Sequence, residues 1–248
     1  MSTVYVGSAR QDEHKTYNGG SAGDQTGHEV ETQKWYSHGK GWVVLRANDP
    51  QKRQLIANAM AAACKNNYIG YDQSQRLSLY TELSKIGFSV SNLAALKKKV
   101  ECDCSALVRV CILCAGLKDP GNFRTVSQPN MLMATGEYTK YTSAAYAAAC
   151  DYLCAGDILV TPTSGHTVVV LTNGDKAGQD PEKPVVKTKK LIAPATMLSM
   201  PPATDIHVVE TYAKGEEVTV YGQSPTNSEW AAVKINGKKG YVPIKNIT

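Results

Sequence analysis

Between residues 176 and 190 the chain reads KAGQDPEKPVVKTKK, a run of Lys, Pro, Gly and acidic residues with almost no large apolar side chains. Such a stretch has nothing to bury and two prolines that resist regular structure, so it reads as a linker. It divides the 248 residues into two parts of different character. Both halves of the pattern set the fold: helical periodicity dominates before the break, and short β-branched runs dominate after it. The expected organisation is a catalytic-size domain over 1–178, a linker over 179–189 and a small all-β domain over 190–248.

Within the first part, residues 1 to about 45 are rich in Gly, Asp, Thr, Gln and Ser, with Trp35, Tyr36 and Trp42 as bulky anchors. They read as loops and short turns, an N-terminal extension folded onto something else. The pattern then changes. In NDPQKRQLIANAMAAACKNN, Asp49 is placed to cap a helix with Pro50 at its first position, and Leu55, Ile56, Ala59, Met60 and Ala63 share one face. Short helices are expected over 74–86, ending at Gly87, after Ser91, and around 127–135. The run from Cys104 to Ala115 has Cys104, Leu107, Val108, Cys111 and Cys114 near one stripe, with Gly116 as its stop. GDILVTP and GHTVVVLTNGD read as strands joined by the turn-forming TSG. Helices first and strands later point to the α+β class.

Composition narrows the function classes. An apolar content of 42% with 20% charged residues is ordinary for a globular chain, and no stretch approaches the apolar length of a membrane span. The net charge of +5 is too small and dispersed to argue for nucleic acid, though it suits work beside an anionic polymer such as a bacterial wall. The N-terminus has no apolar signal-peptide core, and seven cysteines are an odd number, so a reduced cytoplasmic state is expected.

Among those cysteines, one position is special. A thiol at a helix N-terminus is stabilised as thiolate by unpaired N–H groups and the helix dipole. If Asp103 caps the helix, Cys104 is its first residue, while Cys111 and Cys114 lie turns inside. A thiolate needs a base. His14, His28 and His38 fall in the loop-like region and His207 in the terminal domain, whereas His166 begins an apolar strand that could hold its ring rigidly. The competing readings are blander. Cys64, Cys111, Cys114 and Cys150 read as small core residues, zinc binding by CDC…CILC would need ligands to converge from inside one helix, and His28, Asp24 and Glu29 read as a polar loop rather than a metal site.

DCSALV at 103–108 and GDILVTPTSGHTVVVL at 156–171 resemble the two signature segments of the NlpC/P60 cysteine peptidases, in the family's order. The resemblance implies a papain-like fold, with a Cys-bearing helix packed on an antiparallel sheet that carries the His. It implies cleavage of stem-peptide bonds in peptidoglycan, typically between D-γ-glutamyl and a diamino acid, with no metal or organic cofactor. Carried over, Cys104 is the nucleophile and His166 the base, while Asp103 and Ser105 help shape the substrate pocket. Tyr71 stands in for the family's aromatic position before the Cys, and Asn173, with Asp175 as an alternative, takes the third polar position of the catalytic set. Ala106 replaces the usual Gly.

The terminal segment is similar to bacterial SH3 domains of the wall-binding type, on the strength of SMPPATD, AKGEEVTV, EWAAV and NGKKGYV. Tyr212, Tyr221, Trp230 and Tyr241 could form its core or line a ligand groove. Together the two resemblances imply an endolysin-like peptidoglycan hydrolase, made in the cytoplasm and acting on the wall after release. Its partner is peptidoglycan, with no nucleic acid and no membrane insertion; its oligomeric state stays open. An N-acetylmuramoyl-L-alanine amidase and a catalytically inactive wall-binding protein remain the alternatives.

Overall fold

The computed structural model describes residues 2–179, 187–199, 208–224 and 227–248. The chain divides into two compact units, Met1–Gln179 and Asp180–Thr248. Most of the SMPPATD segment and His207 lie outside the described residues, as do 180–186 of the linker.

The first unit is mixed α/β. It runs β1 (Tyr5–Ala9), β2 (Val30–Lys34), β3 (Val43–Ala47), α1 (Pro50–Ala63), β4 (Ile69–Tyr71), α2 (Ser78–Ile86), α3 (Val90–Ala95) and β5 (Val100–Cys102). It continues through α4 (Cys104–Cys114), α5 (Gln128–Ala134), β6 (Tyr138–Tyr141), α6 (Ala144–Ala147), β7 (Ile158–Val160) and β8 (Thr167–Val170). Six strands form an antiparallel sheet in the order β2-β1-β8-β7-β3-β6, and β4 and β5 pair in parallel as a separate ribbon.

The first 45 residues are therefore no mere extension. They supply two strands at one edge of the main sheet and the start of β3 in its interior. Their sequence disguised this because each strand is only five residues long and a Gly- and Asp-rich segment of 20 residues separates β1 from β2. Gly7 is needed in β1 because α1 crosses it closely; a Cβ there would lie 2.6 Å from Met60 Cγ and 2.8 Å from Cys64 Sγ.

Helix starts follow the sequence signals. Asp49 accepts the N–H groups of Gln51 and Lys52, with Pro50 in the first turn of α1. Asp103 accepts the Ala106 N–H at the start of α4. Ser89, rather than Ser91, caps α3. Leu55, expected on the apolar face of α1, is exposed instead. α4 is buried on nearly every side rather than along one stripe, because α1, α2, β1 and β8 all pack against it. The continuous apolar run of β8 has the same cause: Val169 joins the core under α1 and α4, while Val168 and Val170 join a second core with Trp42, Tyr146 and Leu153 on the other face.

The second unit is all-β. β9 (Lys187–Lys190), β10 (Ala195–Leu198), β11 (Val208–Tyr212), β12 (Glu217–Gln223), β13 (Trp230–Ile235) and β14 (Lys238–Pro243) form one antiparallel sheet in the order β11-β10-β14-β13-β12-β9. Its core holds Leu191, Met197, Tyr212, Val218, Val233, Ile235 and Val242. The Asn236–Gly237 turn, both residues at positive φ, joins β13 to β14 as an Asn-Gly pair does in tight hairpins. Lys187–Lys190, assigned to the linker by composition, is an edge strand paired with β12. Lysines on an edge strand are compatible with pairing on one side and discourage it on the other.

A buried ion pair ties the interior of the main sheet together. The Arg46 guanidinium of β3 makes two hydrogen bonds to the fully buried Asp157 carboxylate, at 2.8 and 2.6 Å, and a third to the Tyr152 carbonyl. Removing one partner leaves an uncompensated charge in the core. Asp157→Ala is expected to lower unfolding free energy by about 3–5 kcal/mol, read as a lower urea midpoint at unchanged slope.

Candidate active site

Cys104 occupies the first turn of α4, and Arg76 fixes that turn from behind. Its guanidinium donates to the Asp103 carboxylate, to Ser105 Oγ at 2.9 Å, to the Phe123 carbonyl at 2.7 Å and to Asn122. Ser105 Oγ in turn donates to Asp103 at 2.8 Å. Asp103 and Ser105 are thus buried in a brace that sets the helix start. They do not line the cleft that the sequence reading assigned them to.

The Cys104 side chain faces the other way, into a cleft of about 460 Å³ that it shares with His166, Tyr71, Tyr36, Arg10 and Lys40. The backbone N–H groups of Thr167, the residue after His166, and of Ser105 lie beside the sulfur and favour its thiolate. α4 and the start of β8 therefore meet at the thiol. Cys104 is only 8% exposed, but it alone of the seven free cysteines lines this cleft. Cys102 and Cys111 are sealed in the core, where burial pushes both thiols well up.

His166 is held from β1. Its Nε2 lies 3.2 Å from Ser8 Oγ. The registers Val6↔Val170 and Gly7↔Val169 between β1 and β8 carry Ser8 and Arg10 toward His166. Asn173, expected to orient the ring, is engaged elsewhere: its Oδ1 accepts the Ala155 N–H at 2.8 Å beyond the far end of β8. Asp175 accepts the Ser2 N–H at 2.8 Å. Neither lines the cleft. Tyr71 does, with its hydroxyl accepting from Gln73 at 3.0 Å.

The electrostatics differ from those expected of a helix-tip thiolate. Burial first, and then the neighbouring Asp103 charge, push the Cys104 thiol up to about 12, against the pull of the two N–H groups. Burial, followed by the charges of Arg10 and His38, lowers His166 to about 4. Thiol and imidazole are therefore both neutral at pH 7 in this closed arrangement.

The cleft is cationic. Arg10 pairs with Glu31 behind it, Lys40 Nζ donates to the Ser164 carbonyl at 2.5 Å, and none of the described residues lining the cleft is acidic. His38, read from sequence as a loop residue, also lines it and packs on Trp42 with ring centroids 5.0 Å apart. Ser8, Arg10, His38 and Lys40 were missed because the strand and turns that deliver them were not recognised. His14 is exposed, and the exposed His28 pairs with Glu31 at 2.9 Å. In the second unit, Tyr212 is core, while Tyr221 and Tyr241 line a shallow cavity of about 300 Å³ with Lys239.

A family model described as an endolysin-like domain matches residues 6–177, and one described as a variant SH3 domain matches residues 211–247. The first match begins inside β1 and so takes in the residues that hold His166. No curated protein and no solved structure matches the chain significantly.

The neutral state of the thiol has a measurable signature. Below its pKa the thiolate fraction grows tenfold per pH unit, so alkylation of Cys104 by iodoacetamide is expected to accelerate about tenfold from pH 7 to 8 and again from 8 to 9. Mass spectrometry, with Cys104→Ala as background, reads the rate; a pre-formed thiolate–imidazolium pair would give a flat profile.

Proposed function

The chain belongs to the endolysin-like domain family, and from that premise we propose that it hydrolyses stem-peptide amide bonds of peptidoglycan with Cys104 as nucleophile and His166 as general base. The endolysin-like and SH3 matches together make it a cell-wall-acting lytic enzyme. The observation that supports the thiol mechanism is the meeting of the α4 N-terminus and the start of β8 in one open cleft, with Cys104 and His166 both on its wall. That arrangement accords with the NlpC/P60 resemblance of the two motifs and with a papain-like reading of the catalytic unit.

Starting from a neutral pair, the thiol proton passes to His166 as sulfur attacks the substrate carbonyl. With Nε2 held by Ser8, Nδ1 is the nitrogen that takes it. Asp103 occupies the Ala106 N–H and the sulfur lies against that of Ser105, which leaves the Cys104 N–H to meet the charge developing on the carbonyl oxygen. His166 then gives its proton to the leaving amine, the C–N bond breaks, and water releases the acyl group from sulfur. Ser8 thus acts as the positioning residue that the sequence reading sought at Asn173.

Arg10 and Lys40 favour the endopeptidase reading over the amidase one. A γ-linked glutamyl residue presents a free α-carboxylate beside the bond to be cut, and a cleft with two cations and no acid is suited to it. The second unit, over 190–248, serves as the wall-binding domain, with Tyr221 and Tyr241 in its groove. The protein acts after release to the wall, and no described helix is long and apolar enough to cross a membrane.

Digestion of purified wall by the protein and by Cys104→Ala, with new termini identified by mass spectrometry, tests the reaction. A Cys104-dependent free amine on the diamino acid is expected. A free lactyl group with an L-Ala amine would instead assign the amidase, and no Cys104-dependent product would leave wall binding alone. On soluble stem peptides, Arg10→Gln with Lys40→Gln is expected to raise KM by about 10–100-fold for the free α-carboxylate and to change little for its amide.

A further inference from the structure

Away from the cleft, the segment between β1 and β2 folds against the β4–β5 ribbon around four carboxylates: Glu13, Glu29, Asp72 and Glu101. Glu29 accepts the Tyr71 and Gln25 N–H groups. Asp72 accepts those of Gly19, Gly20, Ser74 and Gln75, and Glu13 Oε1 accepts that of Ser21. Glu101 is different. It is 3% exposed, and neither of its carboxylate oxygens has a hydrogen-bond partner; Glu13 Oε2 is also buried without one.

Among the described residues no lysine or arginine pairs with any of the four, and the one ion-pair contact is with the exposed His14, 3.9 Å from Glu13 and charged only when protonated. Buried carboxylates normally have a charged or hydrogen-bonded partner, and a pair of unsatisfied ones calls for a missing ligand. Burial, and then the charges of Glu29 and Asp72, push Glu101 up to about 8, against the pull of the nearby Gly23 N–H, which is itself directed to the Val100 carbonyl at 3.3 Å. The surrounding atoms are hard oxygens. A Cβ on Gly70 would lie 2.8 Å from Glu101 Oε2 and 2.4 Å from the Gly23 carbonyl oxygen, so the two oxygens flank the same glycine; the carbonyl accepts Gln25 Nε2 at 2.7 Å and keeps its second lone pair.

We propose that Glu101 and Glu13, with the Gly23 carbonyl, hold a hard divalent cation, calcium in preference to magnesium, that ties the β1–β2 segment to the β4–β5 ribbon. Carboxylate and main-chain oxygens supplied from an irregular loop suit the larger ion's flexible coordination, whereas magnesium demands a near-ideal octahedron. Two other groupings do not compete. The acceptors of Asp12, which lies near Glu13 and His14, are taken by the His14 and Thr16 N–H groups and the Thr16 hydroxyl. Asp24, paired with His28 and Glu29 in the sequence reading, accepts the N–H groups of Thr26, Gly27, Glu29 and Val30. The segment so anchored also carries Gln11 and Tyr17, and the ribbon carries Tyr71; all three line the cleft. The ion thereby stiffens one wall of the catalytic cleft from outside it.

Thermal unfolding of the full chain, stripped with chelator and returned to 1 mM calcium, 1 mM magnesium or buffer alone, tests the site independently of any hydrolysis. Calcium is expected to raise the midpoint by about 5–10 °C, and magnesium by less. Glu101→Gln should abolish the calcium shift without lowering the metal-free midpoint, since it removes a buried charge. Glu13→Gln should weaken calcium binding at least about tenfold by titration calorimetry, and decides the matter should Glu101→Gln fail to fold. An unchanged midpoint in calcium overturns the proposal and leaves Glu101 as a buried protonated acid. A full calcium shift retained by Glu101→Gln overturns it as well, by placing the ion elsewhere.

Discussion

The position of the Cys104 sulfur depends on a brace of side chains that point away from it. Arg76, buried at the start of the segment leading into α2, joins Asp103, Ser105, Asn122 and the Phe123 carbonyl, and so locks together three separate stretches of chain. A guanidinium suits this place because its planar set of donors can satisfy several acceptors at once, which an ammonium cannot do with the same geometry. With Asp103 fixed, its other oxygen caps α4 through Ala106, and the first helical residue has one direction left in which to project. The aspartate and serine that flank the cysteine are therefore parts of the mount, and the proposed chemistry belongs to the side chain between them.

This same brace exacts an electrostatic cost. Asp103 places a negative charge beside a sulfur that would itself become negative, and the full burial of α4 withholds solvent. The helix end that could have stabilised a thiolate is partly occupied by its own cap. His166 is likewise buried near cationic neighbours, which disfavours its imidazolium. Two groups that each resist charging alone can still exchange a proton when substrate charge develops between them, because the transition state then supplies the opposite sign that the resting cleft lacks. Burial of this kind protects the thiol from adventitious oxidation while the cleft is empty.

What could be read from the sequence was local. Asp49–Pro50, Asp103 before Cys104, Gly87, Gly116 and the Asn236–Gly237 turn announced their elements because each acts through hydrogen bonds or dihedral preferences within a few residues. Cys104 and His166 were visible for the same reason, one at a helix start and one at a strand start. The partners of His166 were not. Ser8 sits 158 residues away, and a lone serine in YVGSA carries no signal until β1 is known to pair with β8. Lysines at 187–190 looked like linker because composition registers solvation but not edge pairing. The all-round burial of α4 was likewise invisible, since it depends on how many elements surround the helix rather than on its own period.

The N-terminal segment shows how these limits combine. Its Gly, Asp and Asn content suggests a loop without a task, and in one sense that is right, for most of its carboxylates are spent on backbone N–H groups of its own turns. Yet a loop that buries Asp12, Glu29, Asp72 and Glu101 on or beneath it, and half-buries Glu13 and Asp24, is held by far more than turn chemistry. Carboxylates stay ionised in the interior when enough donors converge on them. Where donors run out, at Glu101 and one oxygen of Glu13, the segment meets the ribbon that leads through Cys102 into α4. The weakest point in the segment's hydrogen bonding thus lies on the shortest covalent route to Cys104, the proposed nucleophile, so whatever satisfies those oxygens also sets how firmly that route is held.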